Sequence, residues 1–131
     1  MWIMTSYGIL MPATIPADLA EDVGHLAFGF NMQVRSRDRA TLQKCRARYM
    51  ANFHVSEIVA TPELDYEYRF YCNADDFADA VRWMVIEIDY EKFKPTTMRK
   101  GAGGKKLHRL YNDIWWVIWN RTGARHKEEK K

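Results

Sequence analysis

Apolar and polar positions along the chain change period several times, and each change marks an element. In "AFGFNMQVRSR", residues 27–37, Phe28, Phe30, Met32 and Val34 alternate with Asn31, Gln33, Arg35 and Arg37. A side-chain period of two belongs to a strand with one face on a core and the other in water. "DYEYRFYCN", residues 65–73, alternates in the same way, with Tyr66, Tyr68, Phe70 and Cys72 inward and Glu67, Arg69 and Tyr71 outward. "WIMTSYGIL", residues 2–10, has the β-favouring composition of a first strand, and "SEIVAT", residues 56–61, predicts a short one ended by Pro62. The stretch "MPATIPADLAEDVGH" between the first two strands carries two prolines, a glycine and three acids, and reads as a loop.

Elsewhere the period is helical. After Asp38, whose carboxylate can accept from the free amides of a first turn, Leu42, Cys45 and Tyr49 recur at helical spacing. Asn73 and the acids Asp75, Asp76 and Asp79 open a second helix with the stripe Phe77, Val81, Met84, Val85 and Ile88. A third begins near Leu107, with Leu110, Ile114, Val117 and Ile118 on one face and Trp115 and Trp119 beside them. Tryptophans so spaced are expected against a sheet, and Trp116, off the stripe, is expected outside.

The order ββαββαα predicts an α+β fold with a four-strand antiparallel sheet. From the second strand onward it reads β-α-β-β-α, five sixths of a ferredoxin-like fold; the first strand can fill the sixth place as in a circular permutation. The extra C-terminal helix then packs at an edge or across the open sheet face. One α+β domain is expected over residues 1–121, containing a flexible basic glycine-rich loop at 95–106. A basic tail without an apolar anchor follows at 122–131.

Composition supports a packed core: of 131 residues, 47% are apolar and five are tryptophan. A chain of this length buries roughly two thirds of the surface it exposes when unfolded. No apolar run approaches the roughly 18 residues of a membrane span. The N-terminus lacks a cationic region of the kind that opens a signal peptide, and the only two cysteines, Cys45 and Cys72, sit on apolar faces as buried reduced thiols. A cytoplasmic protein is the expectation.

Net charge is only +3, yet it is unevenly distributed. Residues 35–56 carry six cations and one acid, residues 57–91 ten acids and two cations, and residues 92–131 twelve cations and three acids. Separated patches of opposite sign can orient a partner.

The stretch "MRKGAGGKKLH", residues 98–108, has the glycines and cations of a phosphate loop. No buried strand precedes it, no hydroxyl follows Lys105, and GxGxxG spacing is absent, so neither a P-loop nor a dinucleotide fingerprint is present. It reads as a basic hinge able to hold an anion loosely. His25, His54, His108 and His126 show no ligand spacing, and no nucleophile–histidine motif is visible. No cofactor, metal site or catalytic residue is therefore assigned. "RSRDRATLQKCRAR" is the strongest candidate for binding: Arg35, Arg37, Arg39, Lys44, Arg46 and Arg48 match phosphate oxygens or an acidic partner. Lys100, Lys105 and Lys106 extend it, and Trp116 could add an aromatic contact. Against this stands a solvated face whose arginines pair with the acids of residues 57–91.

Five segments in order, "MWIMTSYGIL", "VRSRDRATLQKCRARY", "IVATPELDYEYR", "IDYEKFK" and "YNDIWWVIW", resemble the motifs of a group of small uncharacterised bacterial and phage proteins. The resemblance covers most of residues 1–119. It implies that Trp2, Arg35, Arg37, Pro62, Asp65, Tyr66, Arg69, Asp89, Tyr90, Phe93 and Lys94 occupy motif positions, with Asp65 or Asp89 available to pair with Arg69 or Arg35. This chain departs from it at Ser36, at Glu91–Lys92, in the glycine-rich insertion and in the basic tail. Three functions stay open. The first is a non-enzymatic binding protein, a phage-encoded modulator of a host macromolecule acting through its charged faces. The second is a nucleic-acid-binding module using 35–48 and 92–106, and the third an enzyme with a site between the sheet and the C-terminal helix.

Overall fold

A computed structural model describes residues 1–16, 26–87 and 105–123. Among these residues the architecture is α+β: a five-stranded antiparallel sheet and three helices. β1 (Ile3–Thr5) and β2 (Gly8–Thr14) form a hairpin, with Ile3 opposite Leu10 and Thr5 opposite Gly8. β3 (Met32–Ser36) leads through Asp38 into α1 (Arg39–Tyr49). β4 (Val59–Ala60), β5 (Tyr68–Cys72) and α2 (Ala74–Ile86) follow. α3 (Lys105–Ile118) ends in a π-helical turn, Trp119–Gly123. Strand order is β1-β2-β3-β5-β4, so β3 is central, between β2 on its N-terminal side in sequence and β5 from the middle of the chain.

Two expectations about the strands are corrected. The stretch 2–10 is a hairpin rather than one strand, and Met11–Thr14 of the expected loop belong to β2, giving five strands instead of four. The turn at Ser6–Tyr7 lacks the Asn-Gly chemistry that advertises a hairpin. It is closed instead by Thr5, whose Oγ1 donates to the Gly8 carbonyl at 2.7 Å and accepts from the Gly8 amide at 3.1 Å. Pro12 lies beyond the end of β1, where that edge of β2 is unpaired among the described residues. A strand tolerates proline there. The inward Phe28 and Phe30 are the second miss: β3 begins only at Met32, Phe28 is 87% exposed, and Phe30 stacks on His54 at 5.1 Å. Gly29, at φ 82, breaks the alternation before the strand starts.

The core lies between one sheet face and the helices. Leu10, Val34, Phe70 and Cys72 from the strands meet Leu42 and Cys45 of α1 and Phe77 and Ala80 of α2. Each fully buried Leu, Val or Phe contributes about 1.5–3 kcal/mol. Leu42 and Cys45 pack as their spacing requires, and Tyr49 half packs. Phe77, Val81 and Met84 do the same on α2, while Val85 faces out and Ile88 lies outside the described residues. The Asp38 cap forms, with Oδ1 accepting from the Ala40 amide at 3.3 Å, whereas the Asn73 side chain makes no cap bond.

The opposite sheet face is not the solvated one expected. Gln33, Arg69 and Tyr71 are buried there. Residues 56–67 fold against the outer side of β5: the Ser56 amide donates to the Tyr71 carbonyl at 2.9 Å and the Tyr71 amide to Ser56 Oγ at 2.7 Å.

One glycine is sterically required. Gly8 has φ 152, and a Cβ built on it would sit 2.0 Å from Thr41 Oγ1. That hydroxyl donates to the Tyr7 carbonyl at 3.2 Å, clamping α1 onto the hairpin turn. Gly8→Ala is therefore expected to destabilise the fold by on the order of 3 kcal/mol, combining overpacking and backbone strain. Urea unfolding of wild type and variant measures it; a loss under about 0.5 kcal/mol, the usual range for a surface change, would contradict the contact.

Cys45 and Cys72 are free and buried. Burial pushes both thiols up to about 12, helped by Cys72 beside Cys45 and by Asp76 beside Cys72. Each thiol ionises more easily in the unfolded chain, so the stabilisation is complete below the ordinary thiol range near 9 and is lost as pH rises toward 12. Unfolding free energy should fall through that window, and native protein at about pH 8 should resist iodoacetamide until denatured.

Candidate functional site

The basic stretch is divided among several places. Arg35 and Arg69 are direct cross-strand partners on β3 and β5, an arrangement that repels unless other groups compensate. Arg35 Nε donates to the Met11 carbonyl at 3.1 Å, and its guanidinium lies 4.6 Å from the centre of the Tyr66 ring. Arg37 approaches the same ring at 5.7 Å. Arg69 is only 3% exposed. Its Nε donates to Thr61 Oγ1 at 2.9 Å, Nη1 to Gln33 Oε1 at 2.6 Å and Nη2 to the Tyr66 carbonyl at 3.2 Å. Desolvation pulls its ionisation below the usual arginine range, with Arg35 adding to the effect and Tyr71, Glu63 and Asp65 opposing it.

The motif residues Asp65, Tyr66 and Arg69 thus lie in one neighbourhood, around a cationic cluster whose ring is Tyr66. Asp65 forms no ion pair with Arg69 or Arg35; among the described residues the ion pair is Arg48–Glu87 at 3.1 Å. Asp89, Tyr90, Phe93 and Lys100, with most of the 95–106 loop and the 122–131 tail, fall outside the described residues.

On α1 the remaining cations separate by helix geometry. At 100° per residue, Arg39 and Arg46 share one flank, and Lys44 and Arg48 the other. Arg46 Nε is buried without a hydrogen-bond partner. Glu87 accepts from both Arg48 and the Tyr49 hydroxyl, tying the end of α1 to the end of α2. That pair is solvent-exposed, so it positions the helices more than it stabilises them.

The N-terminal part of α3 reaches the body of the protein. Leu107 is buried, and the Tyr111 hydroxyl bonds to the Thr5 and Gly8 carbonyls of the hairpin. Between α3 and the hairpin is a cleft of about 270 Å³. Ile9, Met11, Leu107 and Leu110 give it apolar walls, and Arg37 and Lys106 add two cations. The cleft unites cations from the two basic regions, which chain distance had kept apart; Lys105, one residue earlier, is exposed.

Beyond Tyr111 the helix is uncovered. Trp115 is 51% and Trp116 56% exposed, and Val117, Ile118 and Trp119 are similarly open. Trp115 stacks on Trp119 at 5.2 Å and meets Trp116 edge-on at 5.5 Å. Trp116 faces out as its position predicts, but Trp115 and Trp119 do not pack on the sheet. The signal was present in the sequence: "IWWVIW" is apolar all round a helix, which one sheet face cannot cover.

Among the described residues no three His, Cys, Asp or Glu side chains gather into a group that could hold a metal. No described helix is long and apolar enough to cross a membrane. The chain matches no protein-family model, no curated protein and no solved structure.

Arg69 holds three acceptors in three directions, which a single ammonium cannot reproduce. Arg69→Lys should cost about 2 kcal/mol of unfolding free energy by leaving buried acceptors unmet. Arg37→Ala, at an exposed site, should cost under about 0.5 kcal/mol. Equal effects of the two in urea titrations would refute this division.

Proposed function

We propose that this chain is a small non-enzymatic binding protein that presents the tryptophan-rich end of α3 to an acidic protein partner with an apolar groove. The observation that carries the reading is the exposed run from Trp115 to Trp119. Helices laid into apolar grooves use anchors at steps of three and four, and tryptophan is the commonest strong anchor at interfaces. Charge selects the partner. Lys105, Lys106, Arg109 and Arg121 flank the apolar surface against the single acid Asp113, so an acidic rim complements it and a second copy of the same helix does not.

The resemblance to small phage and bacterial proteins extends the proposal to a phage-encoded modulator of a host protein. A permuted ferredoxin-like fold belongs to the same reading, supported by the order β2-β3-β5-β4 with β2 in the place of the last strand. The separation of the basic residues 35–48 over the Tyr66 cluster and two flanks of α1 counts against a single phosphate-tracking groove. Nucleic acid is therefore the lesser reading.

The test compares retention of proteins from lysate by wild type, by the triple change Trp115→Ser, Trp116→Ser and Trp119→Ser, and by the double change Lys105→Glu and Arg109→Glu. An acidic protein bound by wild type, lost with the triple variant and weakened at least about tenfold by charge reversal is expected. Retention unaffected by the serines refutes the proposal. So does a sedimenting dimer that the serines dissociate, since the surface would then be covered by the chain itself.

A further inference from the structure

Three features of the molecule are unexplained by a role for α3 in docking: the Arg35–Arg69 pair, the exposed apolar end of α2, and the cleft beneath the first turns of α3. The arginine pair is already satisfied by acceptors of the protein. Arg82 lies 5.9 Å from the centre of the Trp83 ring, and nothing among the described residues shows what meets Val85 and Ile86 on α2. The cleft carries an inference further, because its walls specify the chemistry of an occupant.

We infer that this cleft binds a medium-chain alkyl carboxylate, its chain between Ile9, Met11, Leu107 and Leu110 and its charge beside Arg37 and Lys106. Size comes first: about 270 Å³ corresponds to roughly nine water-sized volumes of about 30 Å³, the bulk of a short alkyl chain with its head group. Polarity comes next. The two hydroxyls in the lining are already committed, Ser36 Oγ to the Ile9 carbonyl at 3.0 Å and Thr41 Oγ1 to the Tyr7 carbonyl at 3.2 Å. An occupant with amide groups would find few partners there, which favours an alkyl chain over a peptide end.

Charge decides the head group. Asp38, the acid in the lining, accepts from the Ala40 amide at 3.3 Å. Arg37 and Lys106 form no ion pair among the described residues. Two cations against one engaged carboxylate leave the cleft positive, so an anion is preferred to a neutral or cationic head. The walls come from β2, the β3–α1 junction and α3, and an occupant would touch all of them at once.

The experiment is calorimetric titration of the full chain with octanoate, octanol and octylammonium. Octanoate should bind one to one with a dissociation constant below about 1 mM, and octylammonium should not bind measurably. Arg37→Glu and Lys106→Glu, both at surface positions, should each weaken octanoate at least about tenfold while circular dichroism stays unchanged. The triple tryptophan-to-serine variant should bind octanoate like wild type, so this inference and the docking role fail separately. Absence of saturable octanoate binding, equal binding of octylammonium, or indifference to both charge reversals would each overturn it.

Discussion

The turn from Thr5 to Gly8 is the point on which the rest of the molecule is hung. Its carbonyl oxygens receive three side chains, Thr5 from the turn itself and two from distant parts of the chain, Thr41 from α1 and Tyr111 from α3. The missing side chain at Gly8 admits Thr41, so α1 can lie directly on the hairpin. A turn ordinarily satisfies its own backbone; here it also satisfies two helices, and a buried carbonyl left without a donor would be costly. The cleft is a by-product of this geometry, since Gly8 and Thr41 belong both to the clasp and to its walls.

Electrostatics obeys the same economy of space. Placing Arg69 opposite Arg35 sets two like charges side by side, and no carboxylate forms an ion pair with either among the described residues. The cost is met by neutral acceptors, Thr61, Gln33 and backbone carbonyls, and by the face of Tyr66. Cation–ring contacts of this kind contribute roughly 0.5–2 kcal/mol, more as water is excluded. A basic stretch that looks uniform in one dimension therefore holds residues with different duties. Arg35 and Arg69 build the second sheet face, Arg48 ties two helix ends, and Arg37 remains at the cleft.

Much of the fold was legible because one-sided burial leaves a clear period. The 68–72 strand, the Leu42–Cys45 stripe and the Phe77–Val81–Met84 stripe all follow from it. Misreadings arose where that premise failed. Arg69 and Tyr71 alternate as if facing water, yet both are buried, with Arg69 bonded to Thr61 and the Tyr66 carbonyl, and a hydrogen-bonded buried arginine is indistinguishable from a solvated one in a string of letters. The hairpin turn hid because Thr5, an ordinary strand residue, supplies its closure. The cleft could not be seen at all: its walls come from residues 8–11, 36–41 and 106–110, and only the tertiary clasp brings them together. Trp115 and Trp119 differ from expectation because helical spacing does not reveal that the run from Ile114 to Trp119, with no polar residue, is too wide for one sheet face.

The Tyr111 clasp joins residues more than a hundred positions apart, to Thr5 and Gly8. During synthesis the hairpin emerges more than a hundred residues before its partner. The sheet and the first two helices can assemble in the meantime, but α3 cannot be seated on the hairpin until Tyr111 has emerged. Contacts of such long sequence separation are the slow ones to form. The nascent chain can therefore hold its body built while the tryptophan helix still lacks its anchor on the hairpin.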